Sequence, residues 1–319
     1  MPVRGGTQAA PVDETGASMR AAIKDHQPVC PYCKGASRHR FSSADVNQKS
    51  SQDLFHYFIC SSCSLTFIER IPEDLGRYYI NEQYDIPSDR SKFLPRVQSQ
   101  LWKVDLLKTL VAPGTLFEVG PATGEFAFAA RQSGFSPKLA EMDENCGRFL
   151  REELELSVVR TSDPAGCLAQ ELKYDAICIW QAIEHIPEFW NLLNVAVDHI
   201  AKGGVLVIST PNPNSVQARM LGRYWPHLDA PRHLYLIPQD WFRSYARERG
   251  LPVVLDTTRD VGSIGLNYYG WYIAVRNSTS KVLPDRCIRG AAKLITGLLR
   301  YREESEGKGC SYTIALRRT

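Results

Sequence analysis

From residue 116 to the end of the chain, short apolar runs and helical segments take turns. This alternation constrains the fold more than any other feature of the sequence. The run LFEV (116–119) has strand length and leads into a Gly-rich turn, and residues 125–133 then carry helical spacing up to Gly134. KLAEM (138–142), SVVRT (157–161) and DAICIW (175–180) read as strands, with a helix over 144–154 between the first two. DAICIW is apolar almost throughout, as expected of a strand buried on both faces. Residues 188–201 predict a helix closed at Gly203-Gly204, and VLVIST (205–210) a fifth strand. A helix over 238–249, a sixth strand at PVVLDT (252–257) and a seventh at YTIALRR (312–318) complete the pattern. Repeated strand–helix units imply an α/β fold, a largely parallel sheet with helices on both faces. The stretch 258–310 between strands six and seven exceeds the usual length of a connection and reads as an insertion.

The chain of 319 residues has room for this domain and a small second one. Residues 1–29 are polar and lack the apolar core of a signal peptide, so 1–27 are expected to form a flexible arm. Residues 28–70 form a cysteine-bearing unit of short strands, and 71–99 a connector rich in tyrosine (Tyr78, Tyr79, Tyr84). A helix is expected over 100–112, stopped at Pro113-Gly114, where the large domain (100–319) begins. Lys and Arg number 38 against 35 Asp and Glu, a net charge of +3, which does not indicate DNA or RNA as a partner. No apolar run is long enough to span a bilayer.

Of nine cysteines, Cys146, Cys167, Cys178, Cys287 and Cys310 are scattered, while Cys30-Pro-Tyr-Cys33 and Cys60-Ser-Ser-Cys63 form two CxxC pairs. The scattered ones do not make a disulfide framework, which fits a reducing cytoplasm. The pairs have the spacing of a zinc ribbon. Four thiolates on two tight turns match tetrahedral zinc, and such a site is coordinatively closed and therefore structural. Neither pair lies in a thioredoxin-like pattern.

The segment Glu118-Val-Gly120-Pro-Ala122-Thr-Gly124-Glu-Phe follows a strand and opens a helix, whose free N–H groups and glycine backbone suit a bound ligand. It has neither dinucleotide GxGxxG spacing nor a P-loop. Glu141 ends the next strand, where a carboxylate can accept two ribose hydroxyls; Asp143 beyond it reads equally as a helix cap. The text YDAICIWQAIEHIPE (174–188) and GGVLVISTPNP (203–213) completes the set. Together these segments resemble the class I S-adenosylmethionine-dependent methyltransferases, in the branch with an EH pair after strand four. The resemblance covers roughly residues 100–257 and the last strand, and it implies a Rossmann-like seven-stranded methyltransferase sheet. Ala122 stands where that family usually has glycine.

The resemblance also implies roles. Glu118 and the backbone of Gly120, Ala122 and Gly124 hold the methionine end of S-adenosyl-L-methionine, with Gln181 beside it. Glu141 holds the ribose and Met142 packs on the adenine. Asp163 is a weak candidate for the adenine amino group. A hydroxyl acceptor needs a base, and His185 and His233 are the candidates. Trp225, Asp229, Arg232 and His233 match a "W…D.PRH" signature of the same branch, so Trp225, Asp229 and Arg232 are expected near substrate, with Tyr79 and Tyr84 of the connector. In a related quinone O-methyltransferase group a metal is bound through acids around the EH pair. Gln181 stands at the matching position, so no catalytic metal is expected. A zinc ribbon followed by a Tyr-rich linker is similar to bacterial glycan and natural-product methyltransferases. Sugar C-methyltransferases with this order carry a longer C-terminal domain. The expected acceptor is therefore a small molecule, a sugar or glycan-linked or natural-product intermediate. Two other readings stay open: an RNA methyltransferase gripping RNA through the ribbon, and a non-catalytic cofactor-binding scaffold. The helical pattern 286–301, with Ile288, Ala292, Ile295 and Leu299 on one face and Arg286, Arg289, Lys293 and Arg300 elsewhere, reads as a packing helix or as a peripheral membrane contact.

Overall fold

The computed structural model describes residues 27–79, 85–279 and 283–319. The arm (apart from Gln27) and Tyr84 lie outside the described residues. In the cysteine unit, both CxxC segments close the same kind of turn. The residue after the second cysteine, Lys34 or Ser64, takes a positive φ, and its amide donates to the first cysteine's carbonyl at 3.0 and 3.1 Å. Strand β1 (Ser37–Ser43) pairs antiparallel with β2 (Phe55–Cys60), and β2 with β3 (Thr66–Ile68). A 3-10 turn, Leu75–Tyr78, leads towards helix α1 (Arg90–Leu110). This helix starts ten residues earlier than expected. Pro95 in its second turn reads as a helix boundary, but Asp89 caps the true start, accepting from the Ser91 and Lys92 amides at 2.9 and 3.2 Å.

The large domain then runs β4 (Thr115–Val119), α2 (Glu125–Gln132), β5 (Ser136–Glu141), α3 (Glu144–Glu152), β6 (Ser157–Arg160), α4 (Pro164–Ala169) and β7 (Tyr174–Trp180). After these come α5 (Phe189–His199), β8 (Ile200–Pro211), α6 (Val216–Leu221), β9 (Tyr235–Leu236), α7 (Gln239–Glu248) and β10 (Val253–Thr257). Helices α8 (Val261–Ser278) and α9 (Asp285–Glu303) and strand β11 (Ser311–Arg317) complete it. The sheet order is β6-β5-β4-β7-β8-β11-β10, parallel from β6 to β8, with β11 antiparallel to both its neighbours. This is the expected α/β, Rossmann-like seven-stranded sheet. One boundary differs. Gly203-Gly204 does not close α5 but lies inside β8, because a Cβ at Gly204 would stand 2.7 Å from the Asp175 carbonyl oxygen of β7. Only glycine lets the two strands approach there.

Side chains of the central strands alternate between two cores, as the pleat requires. Ile177, Ile179, Leu206 and Ile208 face one core, and Ala176, Cys178, Val205 and Val207 the other. The first core also contains Cys30, Tyr57, Phe58, Cys60 and Phe67, so the cysteine unit packs directly onto the sheet side of the large domain. Strand β9 pairs with β3 and becomes the fourth strand of the small sheet. The insertion is a helical hairpin. Trp271 of α8 is buried and its indole N–H donates to Glu303 of α9 at 2.8 Å, so it belongs to the hairpin's own packing. Ile288 and Ala292 of α9 are buried and Ile295 and Leu299 half-buried, so this stripe packs inward, while Leu294, Leu298 and Tyr301 of the same helix are exposed. No helix among the described residues is long and apolar enough to cross a membrane.

Candidate active site

The strand order reverses at β4, which has β5 on one side and β7 on the other. Open α/β sheets bind ligands at such a point, beyond the carboxyl ends of the strands. A pocket of about 520 Å³ lies there. Val119 and Gly120 line it from β4, Glu141 and Met142 from β5, and Trp180, Gln181 and His185 from β7 and the turn after it. Tyr79 closes it from the connector. An adjoining cleft of about 340 Å³ shares Gly120, Ala122 and Trp180 and adds Lys103, Glu118 and Glu125.

The loop after β4 has the backbone its sequence implies. Gly120, Ala122 and Gly124 all have positive φ, at 67°, 51° and 81°. A Cβ at Gly120 would stand 2.9 Å from the Ala182 methyl, and one at Gly124 2.2 Å from Leu150 Cδ2. Ala122 carries its methyl in the same left-handed region, which explains why glycine is the usual choice there. Its amide donates to Glu141 Oε2 at 3.0 Å, while Glu141 Oε1 accepts from the Asp143 amide at 2.8 Å. Glu141 thus joins the loop to the end of β5, and burial raises its pKa. Met142 is exposed on the pocket rim, and Asp143 caps α3 by accepting from the Cys146 amide. Asp163 likewise caps α4.

Glu118 is buried, and its Oε2 has no hydrogen-bond partner among the described residues. Burial pushes its pKa up to about 8, against the pull of Lys103. Lys103 escaped the sequence reading. Its available signal was a charge on α1 in line with buried Leu107 one turn on. Burial lowers its pKa, while Glu118 and Glu125 favour its charge. A buried carboxyl with an unpartnered oxygen, in a cleft that also holds Lys103, suits the charged end of an amino acid. Gln181, at φ 51°, is tied down by the Ser209 and Ser311 hydroxyls at 2.8 and 2.7 Å.

His185 and His233 come together, with ring centroids 4.6 Å apart at 82°. His185 lines the pocket, and its Nδ1 lies 3.0 Å from the Tyr79 hydroxyl. Burial lowers its pKa, and burial together with His185 pushes His233 down to about 3, so both rings are neutral at pH 7. Glu184 lies beneath them. Burial raises it to about 8, and its Oε2 accepts from the Thr210 hydroxyl at 2.9 Å.

Trp225, Asp229 and Arg232, expected near substrate, do not line the pocket. Trp225 is buried in the core. Arg232 is 0% exposed and donates to both oxygens of Asp229 at 2.8 and 2.5 Å, to Asp45 at 3.2 Å and to the Tyr78 carbonyl at 2.9 Å. Asn47 adds a bond to Asp229 at 2.6 Å. Burial alone would raise Asp229, but Arg232 outweighs it and holds the carboxyl below its usual range. Arg232 therefore fastens three parts: the cysteine unit, the segment carrying Tyr79, and its own loop. Replacing Arg232 by methionine would leave Asp45 and Asp229 as buried charges without their partner. The expected cost is about 3–5 kcal/mol, to be read from the urea midpoint at constant slope.

Two groups of described side chains have metal-ligand chemistry: the four paired cysteines, and Glu184 with His185 and His233. The cysteines are all free, with Sγ–Sγ separations of 3.7 Å for Cys30–Cys63 and 3.4 Å for Cys33–Cys60.

Comparison with known proteins adds the family. The model of a family described as "Methyltransferase domain" matches residues 92–255. No curated protein matches the chain. Among solved structures, a SAM-dependent methyltransferase from Archaeoglobus fulgidus aligns with 16% identity and a TM-score of 0.48, over 76% of this chain and 100% of that one. An O-methyltransferase family protein from Burkholderia thailandensis aligns with 12% identity and a TM-score of 0.47, over 77% and 62%.

Proposed function

As the chain belongs to the methyltransferase domain family and is an S-adenosylmethionine-dependent methyltransferase, we propose that its acceptor is a hydroxyl of a small molecule held at the His185 end of the pocket. A sugar or glycan-linked or natural-product intermediate is the class we favour, by likeness to chains of this layout. The observation that carries the hydroxyl is a neutral imidazole, His185, lining the pocket beside the Tyr79 phenol. When bound, S-adenosylmethionine supplies an electrophilic methyl carbon on a sulfonium. Glu118 and the Gly120–Gly124 backbone would hold its amino-acid end, and Glu141 its ribose. Gln181 lies beside its methionine portion, Tyr79 orients the acceptor, and the wall from Leu75 to Tyr79 excludes water. The acceptor's proton leaves at His185, with His233 behind it.

His185→Gln is expected to lower methyl transfer at least a hundredfold, the scale of lost acid–base help, with S-adenosylmethionine affinity changed less than about threefold. The assay is S-adenosylhomocysteine release over a panel of sugar nucleotides and phenols. Calorimetry reports the cofactor affinity. Equal turnover by the variant would remove the reading.

We read the four cysteines as holding one structural zinc ion. Tetrahedral Zn–S bonds of about 2.3 Å place sulfurs about 3.8 Å apart, close to the 3.7 and 3.4 Å separations. The Ser62 and Cys63 amides donate to Cys60 Sγ at 3.4 Å, which disperses thiolate charge.

A further inference from the structure

Helix α9 (Asp285–Glu303) has a second face that the fold leaves open. Leu294, Leu298 and Tyr301 stand at i, i+4 and i+7, so they share one side of the helix. They are 65%, 75% and 91% exposed. Ile288 and Ala292, on the side that packs inward, are buried. A lone exposed leucine needs no explanation, but two leucines and a tyrosine in a row along one helix do.

The charge around this row is one-sided. On α9, Arg286, Arg289, Lys293, Arg300 and Arg302 stand against Asp285 and Glu303, a net of +3 within 19 residues. The whole chain also has a net charge of +3, so its remaining residues are balanced. At about 100° per residue, Arg286 and Lys293 border the apolar row on one side and Arg302 on the other. Arg289 and Arg300 have carboxylate partners close by, Asp285 at 2.5 Å and Glu304 at 2.8 Å. Arg286, Lys293 and Arg302 have no ion-pair partner among the described residues.

A partner for this face must be negatively charged and must also take apolar side chains. A second copy of the chain would bring the same cations against them, and like charges facing each other oppose association. Residues 1–26 offer three acids (Asp13, Glu14, Asp25) among three bases (Arg4, Arg20, Lys24), and so no matching charge. A nucleic acid would answer the cations but not the leucines, since single strands bind by stacking on rings and this face has one, Tyr301. An anionic bilayer answers both. Its surface attracts Lys and Arg, and the boundary between headgroups and acyl chains takes up Leu and Tyr from a helix lying in its plane. We infer that α9 docks flat on a membrane surface rich in anionic phospholipid. Leu294, Leu298 and Tyr301 sink to the acyl boundary, and Arg286, Lys293 and Arg302 lie against the phosphates. The inner side of α9 keeps its bond from Trp271 to Glu303, so docking leaves the hairpin intact.

The test is sedimentation of the full chain with lipid vesicles. Vesicles of equal parts phosphatidylcholine and phosphatidylglycerol are expected to bind at least about tenfold more protein than phosphatidylcholine alone, and added salt should weaken that binding. Leu294→Ser/Leu298→Ser and Lys293→Glu/Arg302→Glu are each expected to lose at least about tenfold of it. None of these residues lines the cofactor pocket, so S-adenosylmethionine affinity should stay at the wild-type value. Should the leucine variant fail to fold, Tyr301→Ser takes its place. Equal binding to the two kinds of vesicle, or full binding by the leucine variant, overturns the inference. So does a dimer in sedimentation velocity that the leucine variant abolishes while wild type ignores vesicles, or capture of a single-stranded oligonucleotide in place of vesicles. A chain that docks on vesicles but binds no S-adenosylmethionine strikes the methyltransferase reading and leaves the docking face standing.

Discussion

Glu141→Ala is expected to weaken S-adenosylmethionine binding about a hundredfold. A carboxylate that accepts two ribose hydroxyls makes two charge-assisted hydrogen bonds of about 1.5 kcal/mol or more each. Their sum, about 3 kcal/mol, corresponds to roughly two decades in Kd. The same side chain accepts from the Ala122 and Asp143 amides, so its loss also loosens the left-handed loop. Glu141→Gln keeps one carbonyl oxygen and is expected to lose about tenfold. The effect also has a sign in pH. Burial raises this carboxyl, so the accepting, charged form is lost at a higher pH than for an exposed glutamate. Affinity should therefore decline on acidification from neutral, and Glu141→Gln should flatten that decline. Calorimetry from pH 5 to pH 8 measures both, and an unchanged Kd in Glu141→Ala would show that the ribose is held elsewhere.

Cys60→Ser is expected to have the largest effect on stability, although the residue lies outside the pocket. Zinc bound by four thiolates contributes free energy of order 10 kcal/mol, comparable to the whole stability of a typical domain. The loss cannot stay local, because Cys60 shares a core with Ile179 and Ile208 of the central strands. The Tyr57 hydroxyl also holds the His233 carbonyl at 2.9 Å, and Asp45 holds Arg232. Melting should fall by at least about 10 °C, with loss of methyl transfer, and a zinc chelator should do the same to wild type. Cys287→Ser, at an exposed thiol, should stay within about 0.5 kcal/mol. A Cys60→Ser chain that melts like wild type would exclude a structural ion at the four cysteines.

The parts legible in the sequence are those written in local pattern. Strand–helix alternation, the glycine loop and the acid after the second strand each depend on neighbours within a few residues. Helix α8 was not legible, because Gly262, Gly265 and Gly270 interrupt its apolar spacing and glycine costs about 1 kcal/mol in a helix. Strand β9 spans only two residues and exists through its pairing with Thr66 and Phe67. The position of Arg232 was equally hidden. Its signature suggested a substrate contact, whereas its partner Asp45 lies 187 residues away in the chain. For His233, the pattern offered a candidate base in the loop after the fifth strand, but only the fold brings its ring against that of His185.

The place of β11 has a consequence for how the protein is made. This last strand fills the slot between β8 and β10 and is the neighbour through which β10 joins the sheet. Until residues 311–317 have left the ribosome, β8 ends in an open edge of buried-type residues, Val205 to Ile208. About 100 residues separate the end of β8 from the end of β11, roughly 5–20 s of synthesis. During that interval the nascent chain presents an apolar strand edge to whatever else is nearby. Its yield in cells should therefore depend on chaperone supply and translation speed more than its finished stability suggests.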